Sequence, residues 1–165
     1  NVPKRYFKSI TLGLSDSDLQ VKISSLKATT QFISSLNDQA LVMKFSPLTE
    51  IIIDTLVYAL KNDLEKGKLA LHSINNLCEA YPKLWKTKLE CLIEVMCQIL
   101  QEAAFNSSVK DPALQVVLTM ASKTPAFIRK SEKFNKNFLP VLFNLLLDVH
   151  LADDPTEWDK QVNNY

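Results

Sequence analysis

The stretch that decides the fold is Asp111–Lys130, Asp-Pro-Ala-Leu-Gln-Val-Val-Leu-Thr-Met-Ala-Ser-Lys-Thr-Pro-Ala-Phe-Ile-Arg-Lys. It reads as a helix with a marked start and stop. Asp111 is placed to accept from the unpaired N–H groups of a first turn, and Pro112 at the first helical position gives up no donor. Leu114, Val117, Leu118 and Ala121 recur at i, i+3, i+4, i+7 and predict the buried face, with Gln115, Thr119 and Ser122 turned away. Pro125 closes the unit, because the residue before a proline is pushed out of the α region.

Two earlier places follow the same plan. Asp18 opens an apolar period through Ile23, Leu26, Ile33 and Leu36, and Asp63 opens another through Ala70, Leu71, Ile74, Leu77 and Cys78. Asp18, Asp63 and Asp111 are 45 and 48 residues apart, close to the ~40–47 residues of helical-pair repeats. Each of these inner helices is preceded by an outer one. Val2–Leu14 and Pro47–Leu60 are the first two, and Leu84–Ala103 is predicted as the longest helix of the chain. Asn106–Lys110 is predicted as a loop. Ala40–Phe45 supplies a turn or two before Ser46-Pro47 restarts the chain, and Phe134–Val149 is a last helix. Pro47–Leu60 is apolar on more than one side (Ile51, Ile52, Ile53, Leu56, Val57, Leu60), as expected of a helix with neighbours before and after it.

The fold class expected is therefore all-α, an α-α superhelix of the HEAT-repeat kind with three to four helix pairs. Two helices per period favour HEAT over armadillo, which needs a third short helix. The array is expected over residues 1–152, in units of about 3–36, 38–81, 82–124 and a partial 125–152. Residues 153–165 form a polar, initially acidic tail, the start of an insertion or of a next unit, expected to be frayed or loop-like with Trp158 as its large anchor.

Composition agrees with this reading and narrows function. Of 165 residues only two are glycine, whereas hairpin turns, phosphate loops and dinucleotide crevices all draw on glycine. Nineteen basic and eighteen acidic residues leave a net charge of +1, mixed along the chain, so no footprint for nucleic acid or an acidic membrane is legible. The run Phe138–Ala152 is too short and too interrupted by Pro140, Asn144, Asp148 and His150 to span a bilayer. Cys78, Cys91 and Cys97 are odd in number and lie within helical patterns, which suits buried or half-buried thiols in a reducing compartment rather than a disulfide or zinc site. The chain begins at Asn1 and reads as part of something longer.

No catalytic constellation is found, and no metal or cofactor is expected. A nucleophile would need a base, and the two histidines, His72 and His150, fall on helices of different units. Paired carboxylates at Asp16 and Asp18, or Asp153 and Asp154, read as caps and solvated charge. The polar faces of the inner helices carry a different expectation. In a solenoid they line one concave surface, here Gln31, Lys68, His72, Asn75, Asn76, Gln115 and Thr119. Asn75 and Asn76 are the strongest pair, because side-chain amides both donate and accept and can grip an extended peptide.

A resemblance joins this reading. Ala113-Leu-Gln-Val-Val-Leu-Thr-Met-Ala-Ser followed by Phe127-Ile-Arg-Lys resembles a HEAT unit of the karyopherin-β (importin-β) transport receptors, most similar to the importin-β3, or Ran-binding-protein-5-like, branch. Leu139-Pro-Val-Leu-Phe-Asn-Leu-Leu-Leu-Asp, running into Asp153, Asp154, Glu157 and Trp158, is similar to a helix of that branch that ends in an acidic stretch containing Trp. The likeness reaches back through Glu79-Ala-Tyr-Pro to about Phe7. The tail departs from the branch in that Pro155 and Thr156 interrupt its charges.

The resemblance implies a monomeric import receptor, found in the cytoplasm, the nucleus and the nuclear pore. It implies cargo with basic localisation signals on inner helix faces, the GTPase Ran in its GTP form, and Phe-Gly nucleoporins docked between outer helices. It implies neither nucleic-acid binding nor membrane insertion. Two other readings are kept: a HEAT or armadillo-type scaffold or regulatory subunit unrelated to transport, such as a phosphatase subunit or a microtubule-binding array, and a helical enzyme.

Overall fold

The computed structural model describes the backbone of residues 2–152 and the side chains of residues 5–147. The readings of the 153–165 tail, Trp158 included, and of the His150 side chain lie outside the described residues. Two kinds of helix alternate. The outer helices are α1 (Val2–Leu14), α4 (Leu48–Asn62), α6 (Leu89–Gln101) and α9 (Leu139–Ala152). The inner ones are α2 (Leu19–Ser34), α5 (Leu64–Ala80) and α7 (Ser107–Lys123). Each inner helix returns to the next outer one through a one-turn connector: α3 (Gln39–Met43), a 3₁₀ turn at Pro82–Trp85, and α8 (Pro125–Ile128) followed by a π turn at Phe134–Phe138. No strand occurs among the described residues.

Three helices, α2, α3 and α5, start where the sequence offers an acceptor. The Asp18 carboxylate takes the amides of Gln20 (2.6 Å) and Val21 (3.4 Å), and that of Asp63 takes Glu65 (3.1 Å) and Lys66 (3.2 Å). Asp38 does the same for α3 through Ala40 (2.8 Å). Each such cap stabilises by roughly 1 kcal/mol. Buried threonines close their own donors locally: Thr30, Thr55 and Thr124 give their hydroxyls to the carbonyls of Leu26, Ile51 and Met120.

Three local expectations are corrected. α7 starts at Ser107, so Asp111 does not cap it and Pro112 lies inside the helix. Pro112 forfeits the backbone hydrogen bond to Ser108 and its ring crowds that carbonyl, a cost of ~3 kcal/mol in a helix interior. The earlier start brings fully buried Val109 onto the stripe of Ala113, Val116, Val117 and Met120, and burying a valine gains about 1.5–3 kcal/mol. That gain is of the same size as the proline's cost, and the stripe sits one residue away from the expected one, leaving Leu118 43% exposed. Second, the helix expected from Leu84 to Ala103 is divided: Pro82–Trp85 is a 3₁₀ turn and α6 has 13 residues, against 17 in α5 and in α7. Trp85, wholly buried, plants this connector in the core. Third, Ser46 does not cap α4. Its hydroxyl donates to the Leu84 carbonyl (3.3 Å), tying one connector to the next.

Stacking is evident in the order of contacts. α5 lies between α2 and α7, in close contact with both, while the outer helices α4 and α6 meet at few positions. That asymmetry is what curvature produces, inner helices crowded on the short radius and outer ones spread on the long one. The hydrogen bonds between units keep the step of the repeat. The Tyr81 hydroxyl donates to the Leu36 carbonyl (2.6 Å), the Thr119 hydroxyl to Asn75 Oδ1 (3.0 Å), and the Lys133 amide to Glu90 Oε2 (2.9 Å), across 45, 44 and 43 residues. One continuous core, from Leu14 to Val141, runs through the stack.

Candidate functional site

Two grooves follow from two helices of a kind lying side by side. The inner groove, about 310 Å³, lies between α5 and α7 and is lined by Glu79, Gln115, Leu118, Thr119, Ser122 and Lys123. Gln115, Leu118, Thr119 and Ser122 recur at i, i+3, i+4, i+7, so one stripe of α7 forms its wall. A short relay fixes that wall. Gln115 Nε2 donates to Thr119 Oγ1 (3.3 Å), whose own proton goes to Asn75 Oδ1 (3.0 Å). Ser122 and Lys123 line the groove as donors and Glu79 as an acceptor. Such a set can hydrogen-bond a peptide main chain.

The outer groove, about 200 Å³, lies between α4 and α6. Val57, Leu60, Val95, Ile99 and Phe105 make an apolar floor, and Lys61, Gln98 and Glu102 a polar rim. A third hollow of about 480 Å³ lies between the α1–α2 turn and α4. Lys22 spans it, donating to the Leu14 carbonyl (2.8 Å) with its ammonium 5.4 Å from the Tyr58 ring centre.

The seven inner-face residues singled out from sequence fall into registers. Gln31, Asn76 and Thr119 are each the thirteenth residue of their helix, and His72 and Gln115 each the ninth. The structure brings Asn75, Thr119 and Gln115 into one bonded set. Gln31 and His72 are exposed and Asn76 half-buried, while Lys68 is occupied by Glu65 (2.7 Å) near the start of α5. Sequence reasoning left Glu79, Leu118, Ser122 and Lys123 out of the surface. Glu79 and Ser122 were legible by their helical spacing, but Leu118, being apolar, was assigned to the core. Among the thiols, Cys78 and Cys97 are buried and Cys91 is exposed, not half-buried. Desolvation raises the Cys78 thiol far above its usual range and Cys97 to about 11.

Comparison with known proteins gives the chain its relatives. A family profile described as "IPO5-like, TPR repeats" matches residues 6–95, and one described as "Importin repeat" matches residues 102–164. The step of 43 to 45 residues between equivalent helices is that of HEAT units and not the ~34 of tetratricopeptide repeats. Importin subunit beta-3 of Saccharomyces cerevisiae is 21% identical over 152 residues, 88% of this chain and 14% of that protein. Crystal structures of Kap121p, alone and bound to Nup53p, superpose with a TM-score of 0.78 at 18% identity, covering 92% of this chain and 15% of theirs. Kap121p bound to the SUMO protease Ulp1p is similar, with a TM-score of 0.77 at 18% identity over 90% of this chain and 15% of that one. The chain thus spans about one seventh of the length of these relatives. Stacked helix pairs at a HEAT step, matched by importin repeat profiles over most of their length, make this chain a stretch of HEAT repeats of the karyopherin-β (importin-β) family.

Proposed function

We propose that the chain is part of a nuclear transport receptor, a non-catalytic binding module that works as a monomer between cytoplasm and nucleus. Its units are about 3–36, 38–81, 82–124 and a partial 125–152. The observation that carries the reading is the match of importin repeat profiles to residues 6–95 and 102–164. The partners of Kap121p in its solved complexes, Nup53p and Ulp1p, support proteins as the class of ligand.

The two grooves divide the work. The outer groove between α4 and α6 has the size and the apolar floor for a phenylalanine ring, and its Gln98 and Lys61 rim can meet the backbone of a Phe-Gly repeat. The inner face, with Gln31, Lys68, His72, Asn75, Asn76, Gln115 and Thr119, takes cargo in extended form: amides hold the main chain, and Glu79 attracts the basic residues of a localisation signal. Ran-GTP and cargo prefer different curvatures of a springy stack, and so oppose each other's binding by a shared population shift.

The experiment is a pull-down with the full-length receptor. Cargo retained on the receptor should be released when Ran-GTP is added, and Ile99→Asp should weaken capture of a Phe-Gly peptide while leaving cargo bound. Cargo binding indifferent to Ran-GTP would remove the transport reading in favour of an unrelated HEAT scaffold.

A further inference from the structure

The net charge of +1 hides a sorting of charges by the fold. The connectors from inner to outer helices lie along one edge of the stack, linked in sequence: the Ser46 hydroxyl reaches the Leu84 carbonyl at 3.3 Å, and the Lys86 ammonium lies 5.5 Å from the Phe127 ring centre. Two of these connectors, Pro-Lys-Leu-Trp-Lys-Thr-Lys (82–88) and Lys-Thr-Pro-Ala-Phe-Ile-Arg-Lys (123–130), contain five lysines and an arginine and no acid. The turns on the opposite edge carry Asp16, Asp18, Asp63, Glu65, Glu102 and Asp111 against three lysines.

Most acids beside the connectors are engaged; the exception is Glu79 in the last turn of α5, which is exposed and lies in the inner groove with Lys123, while Glu90 accepts the Lys133 amide. Asp38 caps α3, Glu50 pairs with Lys88 at 2.9 Å, Glu94 pairs with Lys133, and Glu132 pairs with Lys136. Lys44, Lys83, Lys86, Lys123, Arg129 and Lys130 are all exposed, and none has an ion-pair partner among the described residues. Helix dipoles do not account for this excess. Each connector holds the C-terminus of an inner helix and the N-terminus of an outer one, so the two partial charges offset.

We propose that this connector edge is a docking surface for an acidic, extended peptide segment of a partner protein, separate from the outer groove and meeting the inner one only at Lys123. Charge complementarity selects the sign of the partner. An outer helix of about 15 residues is ~22 Å long, more than two Debye lengths of ~8 Å at physiological salt, so the acidic edge does not cancel the basic one for a short ligand. Successive connectors lie one helix-packing step apart, ~8–10 Å, which three residues of extended chain in the polyproline II conformation cover at ~3.1 Å each, returning every third side chain to the same face. Acidic residues at every third position therefore meet one connector each. Single-stranded nucleic acid fits less well, because it needs open aromatic faces for its bases. Here Trp85 is buried, Phe127 is covered by Lys86, and Phe134 stacks on Phe138 at 5.3 Å.

The test is fluorescence anisotropy with the full-length protein and a labelled (Glu-Ser-Ser) repeat peptide, with poly-uridine of equal charge in parallel. The wild type should bind the peptide, more weakly as salt rises, and prefer it to the RNA. Lys83→Glu, Lys86→Glu, Arg129→Glu and Lys130→Glu together should weaken peptide binding by about tenfold or more, while Lys66→Glu with Lys110→Glu on the other edge changes it by less than about twofold. The proposal is overturned if the wild type ignores the peptide, if the fourfold reversal binds as tightly, or if poly-uridine is preferred. It is also overturned if sedimentation shows that the same reversals abolish a dimer, which would give the edge to a second copy of the chain.

Discussion

Gly67 sits in the second turn of α5 where that helix crosses α4, and replacing it tests how closely the two helices of a unit must approach. A Cβ built at Gly67 lies 2.9 Å from Leu60 Cγ and 3.2 Å from Leu60 Cα, closer still to Leu60 Cδ2. Gly67→Ala gains about 1 kcal/mol of helix propensity and costs about 1–3 kcal/mol of overpacking, so the substitution should destabilise by about 1 kcal/mol. Leu60→Ala, at a half-buried position, should cost about 1–2 kcal/mol by itself. In the Leu60→Ala background only the backbone contact remains, and Gly67→Ala should become neutral or stabilising. The coupling between the two sites is then about 1–2 kcal/mol, well above the ~0.5 kcal/mol within which independent sites add. Urea denaturation of the four proteins of the cycle measures it. Gly67→Ala stabilising by itself, or strict additivity of the pair, would refute the close crossing. Because Leu60 also forms the floor of the outer groove, the single Gly67→Ala variant should weaken Phe-Gly binding in parallel.

Other substitutions address the connectors, the thiols and the caps. Trp85 is fully buried with its Nε1 proton lacking a partner; Trp85→Phe removes that orphan donor for a small cavity and should stay within about 1 kcal/mol of wild type, whereas Trp85→Ala should lose about 3–5 kcal/mol in chemical denaturation. Thiol titration of the folded protein near neutral pH should register Cys91 rapidly, with Cys97 (raised to about 11) and Cys78 reacting only on unfolding. Asp63→Ala should destabilise, as the loss of a helix cap does. The Lys66 amide holds the Asp63 carboxyl below its ordinary range, so its contribution is present above the unfolded-state pKa and fades as pH falls through the folded one; the stabilities of the Asp63→Ala variant and the wild type should draw together as pH falls below the ordinary carboxylate range.

How far the chain could be read without coordinates varied with the kind of signal. Asp18 and Asp63 announced α2 and α5 because a short carboxylate before an apolar period has one efficient use, accepting from first-turn amides. The same rule applied to Asp111-Pro112 misplaced the start of α7. The local signal was strong, but it competed with burial of Val109 in the shared core, which no local window contains. The split before α6 was hidden for a similar reason, since Leu84 and Trp85 fit a helical stripe and only packing shows them to be connector anchors. Of the inner-face residues, those in the ninth and thirteenth helical positions were legible from the period. The bonded set of Asn75, Thr119 and Gln115 was not, because it joins two helices 44 residues apart. The basic edge was invisible for a geometric reason: charges that alternate along the chain are sorted only when the repeat places like segments side by side.

The central claim is that successive helix couples are related by translation, each leaning on the next. Lys27, His72 and Gln115 are exposed and are each the ninth residue of their inner helix, so nitroxides there, with Cys91 replaced by Ser, sample one step and two steps of the stack. Electron paramagnetic resonance should give one-step separations near ~10 Å for Lys27–His72 and His72–Gln115, and about twice that for Lys27–Gln115, as helices packed in a row require. A Lys27–Gln115 separation as short as the other two would mean helices gathered around a single closed centre, and would contradict the account.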